Sequence, residues 1–344
     1  MNRCFGLAAP ATLALVALLP ACSGAPDAPS REPASHVDSE TVTVLAADPD
    51  VAPELLLASG RLYWIDRGLE VRDSVHAVPI DGGAPSELYR ASPPTAAVEA
   101  LAADADNLYF TEVWGQSEVH ADLKAIPLVG GAPRLLWSGA GVALGVAVYD
   151  GYVYFGASTA KDSGVQRVPI AGGTIEFVAP SAATPGPSSI AVNATGVYFV
   201  DLASGTVTKL TSSAEQPVTV ANAEDVETDT APLALTDTNA FWGSNTGVMG
   251  ANVSGGAPFI VAKGEGPASS IVADKSTLYW IDPGAHMGPA TLRKVTLSPD
   301  GAPAESTVIA DGLRVTSELV PQGIVLDDTF VYWSASGKIS RARR

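Results

Sequence analysis

Residues 271–282 read Ile271-Val272-Ala273-Asp274-Lys275-Ser276-Thr277-Leu278-Tyr279-Trp280-Ile281-Asp282. An apolar run ends at an aspartate, and a second run carries two adjacent aromatics. Aromatic and β-branched residues favour strands. Aspartate suits a tight turn because its side chain bonds nearby backbone. The stretch therefore reads as two strands joined by a turn. Its aromatic pair recurs as Tyr63-Trp64, Tyr109-Phe110, Tyr154-Phe155, Tyr198-Phe199, Phe241-Trp242 and Tyr332-Trp333, at steps of 38 to 53 residues. A period of about 45 residues is that of a four-stranded propeller blade.

The rest of the unit repeats as well. Leu101-Ala102-Ala103-Asp104 and Ile324-Val325-Leu326-Asp327 match the first run, and Asn193 replaces the aspartate in the fourth unit. A third strand follows the aromatics, as in Val75 to Ile80, Leu123 to Leu128 and Val165 to Ile170. It leads to a glycine pair, Gly82-Gly83, Gly130-Gly131, Gly172-Gly173 or Gly255-Gly256. Glycine supplies the positive φ that such turns need. Pro79, Pro127 and Pro169 lack a ladder donor and mark strand ends or bulges. The fifth unit, around Phe241-Trp242, is the most atypical.

The seventh unit stops after its third strand, Lys338 to Arg341. Its missing outer strand is at the other end of the chain, because Thr41-Val42-Thr43-Val44-Leu45-Ala46 matches Ser306 to Ala310 and Pro217 to Ala221. The expected fold is all-β, a seven-bladed propeller of four-stranded blades whose last blade is closed by the N-terminal strand. Six blades with a flanking hairpin is the alternative. Nine residues before each aromatic pair stand Glu54, Ala100, Gly145, Ser189, Pro232, Ser270 and Gly323. All but Glu54 are small or compact, as crowding of inner strands at an axis requires.

Composition narrows the function. The chain has 344 residues, 47% hydrophobic and 17% charged, with a formal charge of -17. Its apolar fraction excludes a disordered polyanion, and its sign excludes nucleic acid as a partner. Two cysteines make neither a disulfide framework nor a cysteine-rich zinc site. No nucleophile elbow, phosphate loop, zinc-protease helix or dinucleotide fingerprint is present.

Residues 1–21 read as a secretory signal, with Arg3 before an apolar segment. Leu19-Pro20-Ala21-Cys22 resembles the bacterial lipobox. That resemblance implies cleavage before Cys22 and a lipid on its sulfur, a membrane contact made by lipid alone. Ser23 after the cysteine points to the outer membrane, hence to a lipid-anchored envelope protein. Residues 22–40, rich in Pro, Ser and Ala, form a tether, and 41–344 form the propeller. Arg341, Arg343 and Arg344 read as a frayed basic end.

Leu62-Tyr63-Trp64-Ile65-Asp66 and Leu278-Tyr279-Trp280-Ile281-Asp282 resemble the YWTD repeat of TolB-like propellers, with degenerate versions at Leu108 to Glu112 and Val197 to Asp201. The resemblance implies a propeller and a binding role. The count of seven and the replacement of most threonines depart from that family, so no ligand or functional residue carries over.

Asp66, Glu112, Asp201 and Asp282 follow the aromatic pairs at one offset and are expected to ring one face. Glu54 and Glu99 approach the same mouth, and His286 lies in a loop there. Such a ring suits Ca²⁺ or a cationic ligand; it equally suits bonds that serve each blade. The expected role is non-catalytic binding of a protein, peptide or glycan, without an assigned cofactor. A Ca-dependent lactonase-like hydrolase or a lyase is the alternative.

Overall fold

The computed structural model describes residues 42–47, 51–67, 72–93, 95–115, 117–159, 163–180, 187–201, 204–211, 217–222, 232–245, 247–264, 268–284, 289–298, 305–314 and 323–344. Cys22, the signal, the tether and His286 lie outside them. The described residues form seven antiparallel four-stranded sheets and no helix. Blade 1 is β2 (Val51–Ala58), β3 (Arg61–Asp66), β4 (Ser74–Pro79) and β5 (Ser86–Arg90). Blade 2 is β6 (Ala97–Ala103), β7 (Asn107–Trp114), β8 (His120–Pro127) and β9 (Arg134–Ala140). Blades 3 to 6 are β10–β13, β14–β17, β18–β21 and β22–β25, within 142–180, 187–221, 233–263 and 270–313. The atypical fifth unit is thus a complete blade.

Blade 7 takes its strands from both ends of the chain. β26 (Ile324–Leu326), β27 (Phe330–Ala335) and β28 (Lys338–Arg343) are completed by β1 (Thr43–Ala47), which pairs Thr43 with Arg341 and Ala47 with Lys338. The inner strands touch in cyclic order, and β2 meets β6 on one side and β26 on the other. The basic end is not frayed. Arg341 donates to the Ile80 carbonyl of blade 1 at 2.6 Å, and Arg344 pairs with Asp274 of blade 6. Ordered strand pairing in β28 brings these guanidiniums to their acceptors.

The aromatic pairs explain why this sequence makes a ring. All fourteen side chains are at most 5% exposed. Adjacent strand residues point to opposite faces, so the two aromatics of a pair enter different seams. Tyr63 packs with Phe110 in the seam between blades 1 and 2, and Tyr109 with Phe155 between blades 2 and 3. Tyr279 packs with Trp333 between blades 6 and 7. Tyr332 packs with Trp64 where the ring closes. Each pair therefore links its blade to both neighbours.

Polar residues of the unit hold its turns. Asp104, Asp274 and Asp327 each accept two backbone N–H bonds, at 2.7–2.8 Å, from residues two and three positions on. Their second oxygens are used as well: Tyr109 and Tyr332 donate to Asp104 and Asp327 at 2.6 Å. Pro79, Pro127 and Pro169 end their strands, and each carbonyl accepts the N–H of the first turn glycine. Gly82 and Gly83 have φ of 92° and 137°, which favours glycine.

Two further regularities concern spacing. A Cβ on Gly145 would stand 2.4 Å from the Ser188 carbonyl oxygen of blade 4. The column of small residues thus reflects close approach of neighbouring inner strands. The outer strands each gain a residue against their partners, at Leu45, Leu88, Leu136, Val178, Val220, Val261 and Ile309, and that of blade 6 gains a second between Ala310 and Leu313. These β-bulges turn an apolar side chain into every seam.

Candidate functional site

The second strands all end toward the face where the inner strands begin. Asp66, Glu112, Asp201 and Asp282 therefore lie at one end of the ring. Glu112, Asp201 and Asp282 are buried. Asp66 lies 3.6 Å from His76 Nε2, Asp282 lies 3.4 Å from Arg293 Nε, and Lys124 pairs with Glu112. Asp201 accepts the Ser204 N–H at 3.3 Å. The bases have a common origin. His76, Lys124 and Arg293 stand on third strands opposite the second aromatic of their blades. In blades 3, 5 and 7, where Ala157, Ser244 and Ala335 replace the acid, the same place holds Gln166, Met249 and Ser340. Acid and base thus occur together in three blades and are absent together in three. The bases of Asp66, Glu112 and Asp282 thus come from their own blades, and Glu112 reaches blade 1 as well.

Blade 2 elaborates this pattern. β7 and β8 have eight residues each, against six in β3 and β4, so the hairpin extends to a Trp114–His120 pair. Those rings stack at 5.9 Å. Beneath them Lys124 lies 5.8 Å from Trp114 and 5.7 Å from Tyr89 by ring centroid, and 3.3 Å from Asp122. Glu112 also accepts from the Tyr89 hydroxyl at 2.9 Å and the Ser92 N–H at 3.0 Å. Burial pushes the Tyr89 hydroxyl up to about 12, and the Glu112 charge adds to the shift. Burial opposes the Lys124 charge, yet its bond to Glu112 holds the ammonium well above the usual value.

A second group lies at the start of the inner strands of blades 1 and 2. Arg67 contacts Asp73 Oδ2 and Glu99 Oε2, both at 3.3 Å. Asp73 Oδ2 accepts the Val98 N–H of blade 2 at 3.0 Å. Glu99 is the extra residue between the Val98–Glu112 and Ala100–Thr111 pairs, which releases its side chain from the ladder. Half-buried Glu54 faces the Leu101 N–H, Arg67 and Glu99. Burial pushes its carboxyl up to about 8; Leu101 and Arg67 pull it down, and Glu99 pushes it up. Burial likewise raises Asp73, against the pull of Arg67 and Val98.

Of the sequence candidates, Glu54 and Glu99 come together, Glu112 lies beside them, and Asp66, Asp201 and Asp282 each contact a residue of their own blade. Arg67, Asp73, Tyr89, Trp114 and Lys124 were not singled out by sequence. Aligning the third strands of the seven units exposes Lys124, because its base accompanies an acid; the others carry no repeat signal. No group of three or more metal-ligating side chains suited to an ion occurs among the described residues.

No protein-family model matches the chain, and no curated protein matches it by sequence. Solved structures do match. A catalytically inactive virginiamycin B lyase from Staphylococcus aureus with quinupristin is 13% identical, with TM-score 0.65 over 88% of this chain and 99% of that one. The WD40 repeats of RRP9 are also 13% identical, with TM-score 0.64 over 89% and 98%. The nidogen chain of a nidogen–laminin complex is 12% identical, with TM-score 0.51 over 72% and 93%. At these identities the likeness is one of fold, and the chain is a β-propeller.

Proposed function

We propose that this chain is a non-catalytic binding or scaffold propeller, held at a bacterial outer membrane by lipid on Cys22. Its partner is a protein, peptide or glycan that engages the end of the ring carrying Glu54 and Glu99. The supporting observation is the division of labour among polar side chains. The repeated acids of three blades each pair with a base of the same blade, whereas Glu54, Glu99, Arg67 and Trp114 are peculiar to blades 1 and 2 and gather at one end. A rigid ring that presents unrepeated side chains on one face suits recognition.

Two experiments test the reading. Cys22→Ser is expected to move the protein from the membrane to the soluble fraction, and unchanged partitioning overturns the anchor. Photo-crosslinking residues at Glu99 and Trp114 are expected to yield a discrete adduct in cells, with none from Phe177 on the outer wall. Equal labelling from both places removes the case for a binding face.

One observation favours a second reading, a Ca-dependent hydrolase or a lyase. Glu54 retains its proton near neutrality, as a general acid does. A saturable rise in melting temperature with Ca²⁺, lost in Glu54→Gln, supports that alternative.

A further inference from the structure

We propose that the β28 edge of blade 7 is a strand-acceptor site. It takes an extended segment of a partner protein in place of β1, one that carries an aliphatic residue followed by alanine. The site lies at the outer wall of the ring and does not depend on a binding role for the mouth.

Connectivity sets β1 apart. In blades 1 to 6 the outer strand follows the third strand directly in the chain, so a short connection returns it to its ladder whenever it frays. β1 reaches β28 only through the other six blades. It is also lightly held. Four residue pairs join it to β28, a bulge interrupts them at Leu45, and only Leu45 and Ala46 are buried. The acceptor has supports of its own. β28 pairs with β27 over six residues, Arg341 donates to the Ile80 carbonyl of blade 1, and Arg344 pairs with Asp274 of blade 6. Departure of β1 therefore bares the backbone donors and acceptors of an anchored strand, which an extended chain can pair.

Size across the seams sets the motif. The residue after each outer bulge packs with the second aromatic of the next blade. Ala46, Ala221, Ala262 and Ala310 pack with Trp64, Trp242, Trp280 and Trp333. Where the aromatic is Phe110 or Phe155, the residue is Tyr89 or Trp137, with ring centroids 4.6 and 5.1 Å apart. Phe199 with Ala179 is the one seam that is small on both sides. Every tryptophan of these pairs thus has alanine opposite it. The closing seam holds Trp64, so a strand entering there needs an aliphatic residue in the bulge and alanine after it, as in Leu45-Ala46. Val261-Ala262 and Ile309-Ala310 carry this motif, whereas Leu88-Tyr89 and Leu136-Trp137 do not.

The tether favours β1, because a segment of the same chain sees its site at high effective concentration. It also limits a second copy. Three residues separate Ala47 from Val51 at the start of β2, so β1 of another ring has little reach beyond its own blades. An extended segment of a partner has no such restraint.

A fluorescent peptide of residues 41–47 is the probe, titrated by anisotropy against the full chain and against its Leu45→Ala variant. That variant weakens the resident strand and leaves β28 intact. It is expected to bind the peptide at least about tenfold more tightly than the parent, as loss of a buried leucine allows. The same peptide with Ala46→Trp is expected not to bind. Equal affinity of the two chains overturns the proposal, and so does equal binding of the two peptides. Should Leu45→Ala not fold, a photoreactive residue at the Val44 place of the peptide reads the parent, with the adduct expected on β28 at or beside Ser340. An adduct elsewhere, or none, overturns the site. Dimerisation of the full chain that the peptide reverses assigns the edge to a second copy and overturns the partner.

Discussion

Lys124 stands at 14% side-chain exposure against a Glu112 that is fully buried. Removing one partner of such a pair strands a charge, at a cost of about 3–5 kcal/mol. Lys124→Met is expected to lose that much in urea unfolding, and Lys124→Met with Glu112→Gln to recover part of it, because the glutamine oxygen still accepts from Tyr89 and Ser92. The Asp327–Tyr332 contact makes a pH-dependent case. Although burial opposes the Asp327 charge, bonds from Tyr332, Thr329 and Phe330 prevail and lower its pKa. A depressed carboxyl contributes stability above its unfolded value of about 4, and loses it as pH falls through the folded value. Tyr332→Phe is therefore expected to cost about 1–2 kcal/mol at pH 7 and less in acid, as pH-dependent denaturation will show. The turn role of Asp327 was legible because an aspartate between two apolar runs acts locally. The Lys124–Glu112 pair was not, because the two lie on different strands and their meeting depends on register.

At the level of strands, the aromatic pair is the main cohesive device. Trp280 is 1% exposed and sits in the seam with Phe241 and Val261. Trp280→Ala is expected to cost about 3–5 kcal/mol, measured as a lower urea midpoint with unchanged slope. Gly145→Ala probes the inner strand. Its new methyl meets the Ser188 carbonyl, which is backbone and cannot rotate away, so a loss of about 1–3 kcal/mol is expected. The aromatic spacing and the glycine turns made the blades readable from sequence, since both recur at fixed offsets. The outer bulges were hidden in plain view. Val44-Leu45-Ala46, Phe177-Val178-Ala179 and Ile260-Val261-Ala262 look like ordinary strand, and the extra residue shows only against the pairing of the third strand.

Seven blades in a ring leave seven outermost strands facing outward. Apolar side chains are exposed there, including Val44 at 50%, Leu135 at 56% and Phe177 at 51%. A bulge beside each of them breaks the regular ladder that an incoming strand requires. The closing seam is the exception in origin, since Leu45 and Ala46 of β1 pack there with Trp64 and Tyr332. Deleting Thr43–Ala47 exposes the β28 edge and removes part of that core. The truncated chain is expected to melt at least several degrees lower and to self-associate, as calorimetry and light scattering will report. A melting curve equal to the parent's contradicts the closure. Count and missing strand together made this architecture legible, whereas the gathering of Glu54, Arg67 and Glu99 required three dimensions.

The shared seventh blade also fixes an order in time. Thr43 is made long before its partner Arg341, with six blades of chain between them. Blades 1 to 6 contain only neighbouring segments and are able to form as they emerge. The circle cannot be sealed until β28 has been made, because non-local pairing must await its partner. A chain interrupted anywhere before β28 therefore keeps an open ring, whose seventh blade lacks the partner of β1.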